Sequence, residues 1–457
     1  MISQRERPTL REFLAGFTSR TGDPLEGAAL AEMSGYTVAD AREQGWPDIF
    51  AAARAVPVDV EAEPWSHGPG RRHPGSRALL RGLTYTLPVV ALWAIFPWPV
   101  TRTEIGFLAL LVVLSWGGSM ASSHVVGAWL PGDARKGWRI AIAVVMTATL
   151  LTAVASGVMV RQGLLTSVVA VVGCVQVIYF FSASPLMLRE HNPGLVVAAV
   201  VGATAGAAAL LASLPEPSPL AHPEAVDVLR MVAGECLVVP AMLLVRQAWE
   251  SSRVPGTPGY SVHIVRRDVV AFGAYGVMFG CLVLWIPVVR PSAPASILNL
   301  VIVGGIALAE VAVTILRERS DALLARPFDA GTFARNARRL IVSGVFMYVV
   351  PVALVTATLA VVLSHGSNVP PAAAVMAALT VICLGAVQVL SLIGMTLYGI
   401  RQVAMAISVG TLALMGMTPF MSTSIELSAL YLAVLVALGA VLLAVVMRVG
   451  SHPINFL

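Results

Sequence analysis

The stretches GCVQV at residues 173–177 and GAVQV at residues 385–389 decide how this chain is to be read. Each places one glutamine, Gln176 or Gln388, near the middle of a long run that is otherwise apolar. The two lie 212 residues apart in a chain of 457. Extending the register aligns residues 172–189 with 384–401, with five identities in eighteen positions: Gly173/Gly385, Val175/Val387, Gln176/Gln388, Val177/Val389 and Arg189/Arg401. A second match, at an offset of 190, pairs Arg77 with Arg267, Tyr85 with Tyr275 and Pro97 with Pro287. Both alignments point to a duplicated unit.

Composition says what kind of unit. Only 12% of residues are charged, against about 25% in ordinary soluble domains, and mean hydropathy is +0.81. Runs of about 20 apolar residues, enough to cross a bilayer as helices, begin near Leu79, Glu104, Arg139, Gly163, Gly194 and Val226. Six more begin near Asp268, Ser296, Leu340, Pro371, Gln402 and Ser424. The runs are continuous rather than alternating, which implies helices and not barrel strands.

Twelve spans satisfy the charge distribution. With the N-terminus in the cytosol, Arg and Lys concentrate in the inner loops, as the positive-inside rule requires. Arg135, Lys136, Arg189, Arg253 and Arg401 fall there, while the outer segments LPEPSPLAHPE, SHGSNVPP and PFMSTSIE carry no Lys or Arg. The expectation is an all-α polytopic protein of the cell membrane, with both termini cytoplasmic and twelve transmembrane helices in two six-helix lobes. An even number of spans per lobe sets the pseudo-two-fold axis along the membrane normal. The lobes cover residues 77–250 and 268–450, joined by a cytosolic linker, 251–267, and followed by a cytosolic tail, 451–457. Residues 317–340, RERSDALLARPFDAGTFARNARRL, mix Phe and Leu with Arg and suit a basic amphipathic segment on the anionic inner leaflet.

Residues 1–76 are the polar exception. They lack an apolar stretch after the early arginines, so no signal peptide is expected, and they read as a cytosolic lead-in, surface-lying or partly unstructured. Within it, LREFLAGF and VADAREQGWPDIFAAARAV have the pattern of short amphipathic helices, and EPWSHGPGRRHPGS that of a linker. The net charge of +5 comes almost wholly from arginines spread over many loops, which argues against nucleic-acid binding. Cys174, Cys236, Cys281 and Cys383 sit in apolar runs without CxxC spacing, so neither a metal site, nor a disulfide framework, nor a cofactor is expected.

Polar groups inside the spans are the candidate site residues, because burying them in hydrocarbon is costly. Glu310 shares a helical face with Asn299, Thr314 and Arg317; it either contacts cargo or a coupling ion, or pairs structurally with Arg317. His124 follows a serine face, Ser115, Ser119, Ser122 and Ser123, and either titrates in a wet cavity or packs. Glu235 is either a pathway residue or a partner of Arg230. Gln176 and Gln388 either line a cavity or join helices, and Tyr85 and Tyr275 either line a cleft between lobes or fill the core. Pro88, Pro240 and Pro351 mark expected kinks.

No enzymatic motif is present: HExxH, Walker A and GxSxG are all missing, and the outer loops are too short for a catalytic domain. The six-plus-six arrangement, the basic inner loops and the inner segment after span 8 resemble the multidrug/oligosaccharidyl-lipid/polysaccharide flippase superfamily, in particular its polysaccharide-export branch. The resemblance covers about residues 77–450. It implies a flippase or exporter of a polysaccharide or lipid-linked precursor, alternating access between lobes, with the bilayer, a lipid-linked saccharide and other polysaccharide-synthesis membrane proteins as partners. It carries no signature residue, so no functional residue is transferred. GDARKGWR (132–139) is similar to the inner-loop motif of major facilitator transporters, although Gly137 stands four residues after Asp133 and the second half has no copy. A fused ABC-type permease needing a separate ATPase and a non-transporting scaffold are the remaining classes.

Overall fold

The computed structural model describes residues 9–12, 14, 28, 31–32 and 36–55. From residue 79 on it describes all but 80–81, 85, 89–90, 93–94, 96–100, 131–132, 189–191, 213–222, 254–263, 290–304, 307, 320–329, 367–369, 397–398, 422 and 450–457. The chain divides into two compact units, Met1–Pro74 and Gly75–Leu457.

The first unit has a core of its own. Helices α1 (Val38–Glu43) and α2 (Ile49–Ala55) contribute Ala41, Ile49, Ala52 and Ala53, which cluster with Leu10, Leu14, Ala28, Ala31 and Tyr36. Thr37 opens α1 in a reciprocal capping box with Asp40. Thr9 and Glu12 exchange the same bonds, Thr9 N–H to Glu12 Oε2 at 2.8 Å and Glu12 N–H to Thr9 Oγ1 at 3.3 Å, and the Thr9 amide holds the Glu12 carboxyl below its usual range. The stretch VADAREQGWPDIFAAARAV forms the expected helices α1 and α2, whereas LREFLAGF is described only at residues 10–12 and 14, which are helical, and EPWSHGPGRRHPGS lies outside the described residues. The lead-in was not expected to possess a core, because its apolar positions are scattered singly among polar ones and no window of sequence reveals that they converge.

The second unit is an all-α polytopic membrane fold. Described residues of α3 (79–92) are helical. The chain continues through α4 (Arg102–Trp129), α5 (Ala134–Arg161), α6 (Ser167–Leu186), α7 (Pro193–Ala212), α8 (Pro223–Ser251) and α9 (Arg266–Val289). Residues 305–319, where described, form α10, followed by α11 (Ala330–Gly366), α12 (Pro371–Thr396), α13 (Ile400–Met417) and α14 (Ser424–Val449). Nine of the described helices are long and apolar enough to cross a membrane.

The first six helices and the last six pack alike. In the first half α5 lies against α6, α6 against α8, α7 against α8 and α5 against α8; in the second α11 lies against α12, α12 against α14, α13 against α14 and α11 against α14. These four pairs of the first half thus recur with labels six higher in the second, whereas α12 lies against α13 without a comparable α6–α7 pair among the described residues. The recurrence is what a duplicated unit would produce. The halves meet where α4 packs along α9, and Trp116 and Met120 of α4 join the second-half core around Phe279 and Leu282.

Residues 330–340, expected within the basic inner segment, form the first three turns of the 37-residue helix α11. Residues 317–319 end α10, and 320–329 lie outside the described residues.

Candidate functional site

The seam between halves is built from glycine. A Cβ added to Gly117 of α4 would stand 2.7 Å from the Gly273 carbonyl oxygen and 3.0 Å from the Val277 nitrogen; one added to Gly276 would stand 2.7 Å from Gly117 Cα. The two backbones therefore touch, the close approach that small residues permit between membrane helices. Aromatic side chains flank the crossing. His124 of α4 is half-buried and stacks on Phe272 of α9, with ring centroids 4.6 Å apart. Trp116 meets Phe279 edge-on at 5.4 Å, and Phe279 stacks on Tyr275 at 5.6 Å. Tyr275 is buried, and the Ser391 hydroxyl of α12 donates to the Val387 carbonyl at 2.6 Å. Tyr85, its sequence counterpart, lies outside the described residues.

The serine face of α4 turns partly to α6. The Ser123 and Ser184 hydroxyls lie 2.7 Å apart, whereas Ser119 and Ser122 bond to α4 carbonyls one turn back. The Oγ of Ser115, buried, has no partner among the described residues.

The two glutamines are both buried, yet differently satisfied. Gln388 Oε1 accepts a hydrogen bond from the Tyr348 hydroxyl of α11 at 2.9 Å. Gln176 Nε2 has no partner among the described residues. Gln388 thus joins helices.

Glu235 is the candidate that stands apart. It is exposed, on the face of α8 that also presents Val228, Met231, Met242 and Val245. The span runs from Glu224 to Ser251, so Glu235 lies near its middle, about 16 Å along the axis from the first and about 24 Å from the second. The sequence pairing with Arg230 is not the one adopted: Arg230 stands 3.8 Å from Asp227, because an i,i+3 neighbour lies on its own face whereas Glu235 is one and a half turns away. Glu310 is half-buried in α10, and Arg317, two turns on, is exposed.

Three polar contacts escaped the sequence reading. Glu104, 3% exposed, caps α4 through Thr101 and also accepts from the Thr166 amide, the N-cap of α6, at 3.0 Å. The T-x-x-E spacing is that of a capping box, and nothing in it indicates the reach to a second helix. Asp268 pairs with Arg401 at 2.7 Å, tying α9 to α13. The Tyr179 hydroxyl donates to the Thr84 carbonyl, which lies four residues before Pro88 and so receives no helical N–H from it. Among the described residues no three His, Cys, Asp or Glu side chains are grouped to hold a metal.

No protein-family model matches the chain, and no curated protein matches it. Among solved structures, it is similar to the MATE transporter ClbM, determined in complex with Rb+, at a TM-score of 0.46 and 12% identity, over 82% of this chain and 94% of that one. A likeness of that extent is too weak to assign family or function.

Proposed function

We propose that the chain is a membrane transporter working by alternating access between α3–α8 and α9–α14, with Glu235 on the wall of its hydrated path. The carrying observation is the exposure of Glu235 at mid-span. An ionised carboxylate facing lipid at a helix centre costs about 2.5 kcal/mol or more, and no ion pair with Arg230 offsets it. A face that carries such a group is best explained by water, and in a twelve-span protein without enzymatic motifs a water-lined path is a transport path. Glu235 would there hold a cation or a donor group of the cargo, and Glu310 with Arg317 would supply a second polar position in the other half. The α4–α9 seam, where the two halves pack on each other, is the natural place for them to pivot.

The cargo class, a polysaccharide or lipid-linked precursor moved outward, rests on the architectural resemblance. Deleting the gene and complementing it tests the whole reading. Surface polysaccharide should be lost on deletion and restored by the wild type. Glu235→Gln, at equal membrane level, should fail to restore it. Unchanged surface polysaccharide in the deletion would remove the cargo assignment, and full rescue by Glu235→Gln would remove Glu235 from the path.

A further inference from the structure

The outer face of α11 carries a groove of about 710 Å³ whose described lining is Arg338, Arg339, Val342, Ser343, Phe346 and Met347. The helix's other face, through Ile341, Tyr348 and Val352, packs with Ala309, Ala312 and Leu316 of α10 and with Val389 and Ile393 of α12. The groove therefore opens away from the helix pack. Between Leu340 and Ser364 α11 has no charged residue, so the two arginines stand where the apolar stretch ends and headgroups begin. Both are exposed, and the ion pairs formed among the described residues involve other arginines. The Ser343 hydroxyl is satisfied by the Leu340 carbonyl at 2.9 Å and makes no polar demand on the groove. The result is a cationic end to a shallow, open apolar groove about 13 Å long, from Arg338 to Met347.

The first half supplies an internal comparison. A smaller groove of about 410 Å³ on α5 is lined by Ile140, Ala143, Val144, Thr147, Ala148 and Leu151. Its first five residues sit 199 positions before Arg339, Val342, Ser343, Phe346 and Met347. The grooves are counterparts, but Ile140 stands where the second has Arg339. Arg139, exposed, is the counterpart of Arg338 but is not part of the α5 lining, and Lys136 lies over the Trp129 ring at 3.6 Å. Of the two grooves, the α11 one alone is lined by two guanidinium groups beside its apolar stretch.

We propose that the α11 groove binds one anionic phospholipid. Its phosphate would lie between the Arg338 and Arg339 guanidinium forks, whose geometry matches phosphate oxygens, and one acyl chain would follow Val342, Phe346 and Met347. A soluble anion would leave the apolar groove unused, and a zwitterionic lipid would bring its own cation to the arginines.

Native mass spectrometry of the purified full chain, offered phosphatidylglycerol and phosphatidylcholine with the same acyl chains, tests this. The wild type should retain phosphatidylglycerol roughly tenfold over phosphatidylcholine, in keeping with two basic side chains at the headgroup level. The double variant Arg338→Gln/Arg339→Gln should lose that preference, and Ser343→Trp, which fills the groove while keeping the arginines, should lose the bound lipid. The same filling in the first half, Ala143→Trp, should change neither. All these side chains are exposed, and unchanged melting temperatures would show that the fold is intact. If the preference persists in the double arginine variant, or if phosphatidylglycerol is retained in Ser343→Trp, the site does not exist and the attraction is a general one of basic surface for anionic lipid.

Discussion

At the scale of single residues, the two glutamines of the repeated pentapeptides have different fates for a physical reason. Tyr348 of α11 delivers its hydroxyl to Gln388. The register that superposes the two grooves, an offset of 199, places Thr149 of α5 where Tyr348 stands in the second half. Its short side chain does not span the distance a phenol spans, and Thr149 Oγ1 and Gln176 Nε2 are both buried without partners among the described residues. The repeat was legible in the pentapeptides; the pairing was not, since the partner comes from another helix and differs between halves. An unequal response to substitution follows. Tyr348→Phe should lower thermal stability in detergent by about 1 kcal/mol, the worth of an interhelical hydrogen bond in a membrane protein. Gln176→Leu should be neutral or stabilising, because it removes an unsatisfied amide. Equal losses in the two variants would mean that Gln176 has a partner after all.

At the scale of elements, hydropathy located the helices but not their ends. Span 9 was expected near Leu340 and begins at Ala330; span 3 was expected near Arg139 and begins at Ala134, behind an Asp133 cap. Helices run past the apolar stretch because their first turns, basic and exposed, are paid for by capping and water rather than by lipid. Which faces meet was hidden as well. Gly117, Gly273 and Gly276 look in sequence like any of the chain's glycines, and only the α4–α9 crossing gives them a role. Gly117→Val and Gly276→Val should force the backbones apart and abolish the folded protein or lower its membrane level severalfold. Gly157→Ala in α5, where an added Cβ meets nothing within 4 Å, should be tolerated or add up to about 1 kcal/mol through helix propensity. Fluorescence-detected size exclusion of tagged variants reads both. A monodisperse, fully expressed Gly276→Val would show that the seam is looser than its geometry indicates.

At the scale of the molecule, the six-plus-six order read from two short alignments is matched by the recurrence of the same helix pairs in both halves. Of the described candidate residues, His124 and Tyr275 stand near the seam, Gln388 joins helices, and Glu235 alone is exposed at the centre of a span. Sequence could rank none of these above the others, since exposure depends on which face of a nearly uniform apolar helix is left uncovered. Whether that face meets water decides between a transport path and a lipid-facing surface. In a background with Cys174, Cys236, Cys281 and Cys383 replaced, single cysteines at Glu235, Met231 and Met242 can be probed with a membrane-impermeant maleimide. Labelling of Glu235→Cys in membranes, at a rate near that of a loop position, is the predicted result. Labelling of none of the three, when all react once the protein is denatured, would place the face in lipid and contradict the transport path.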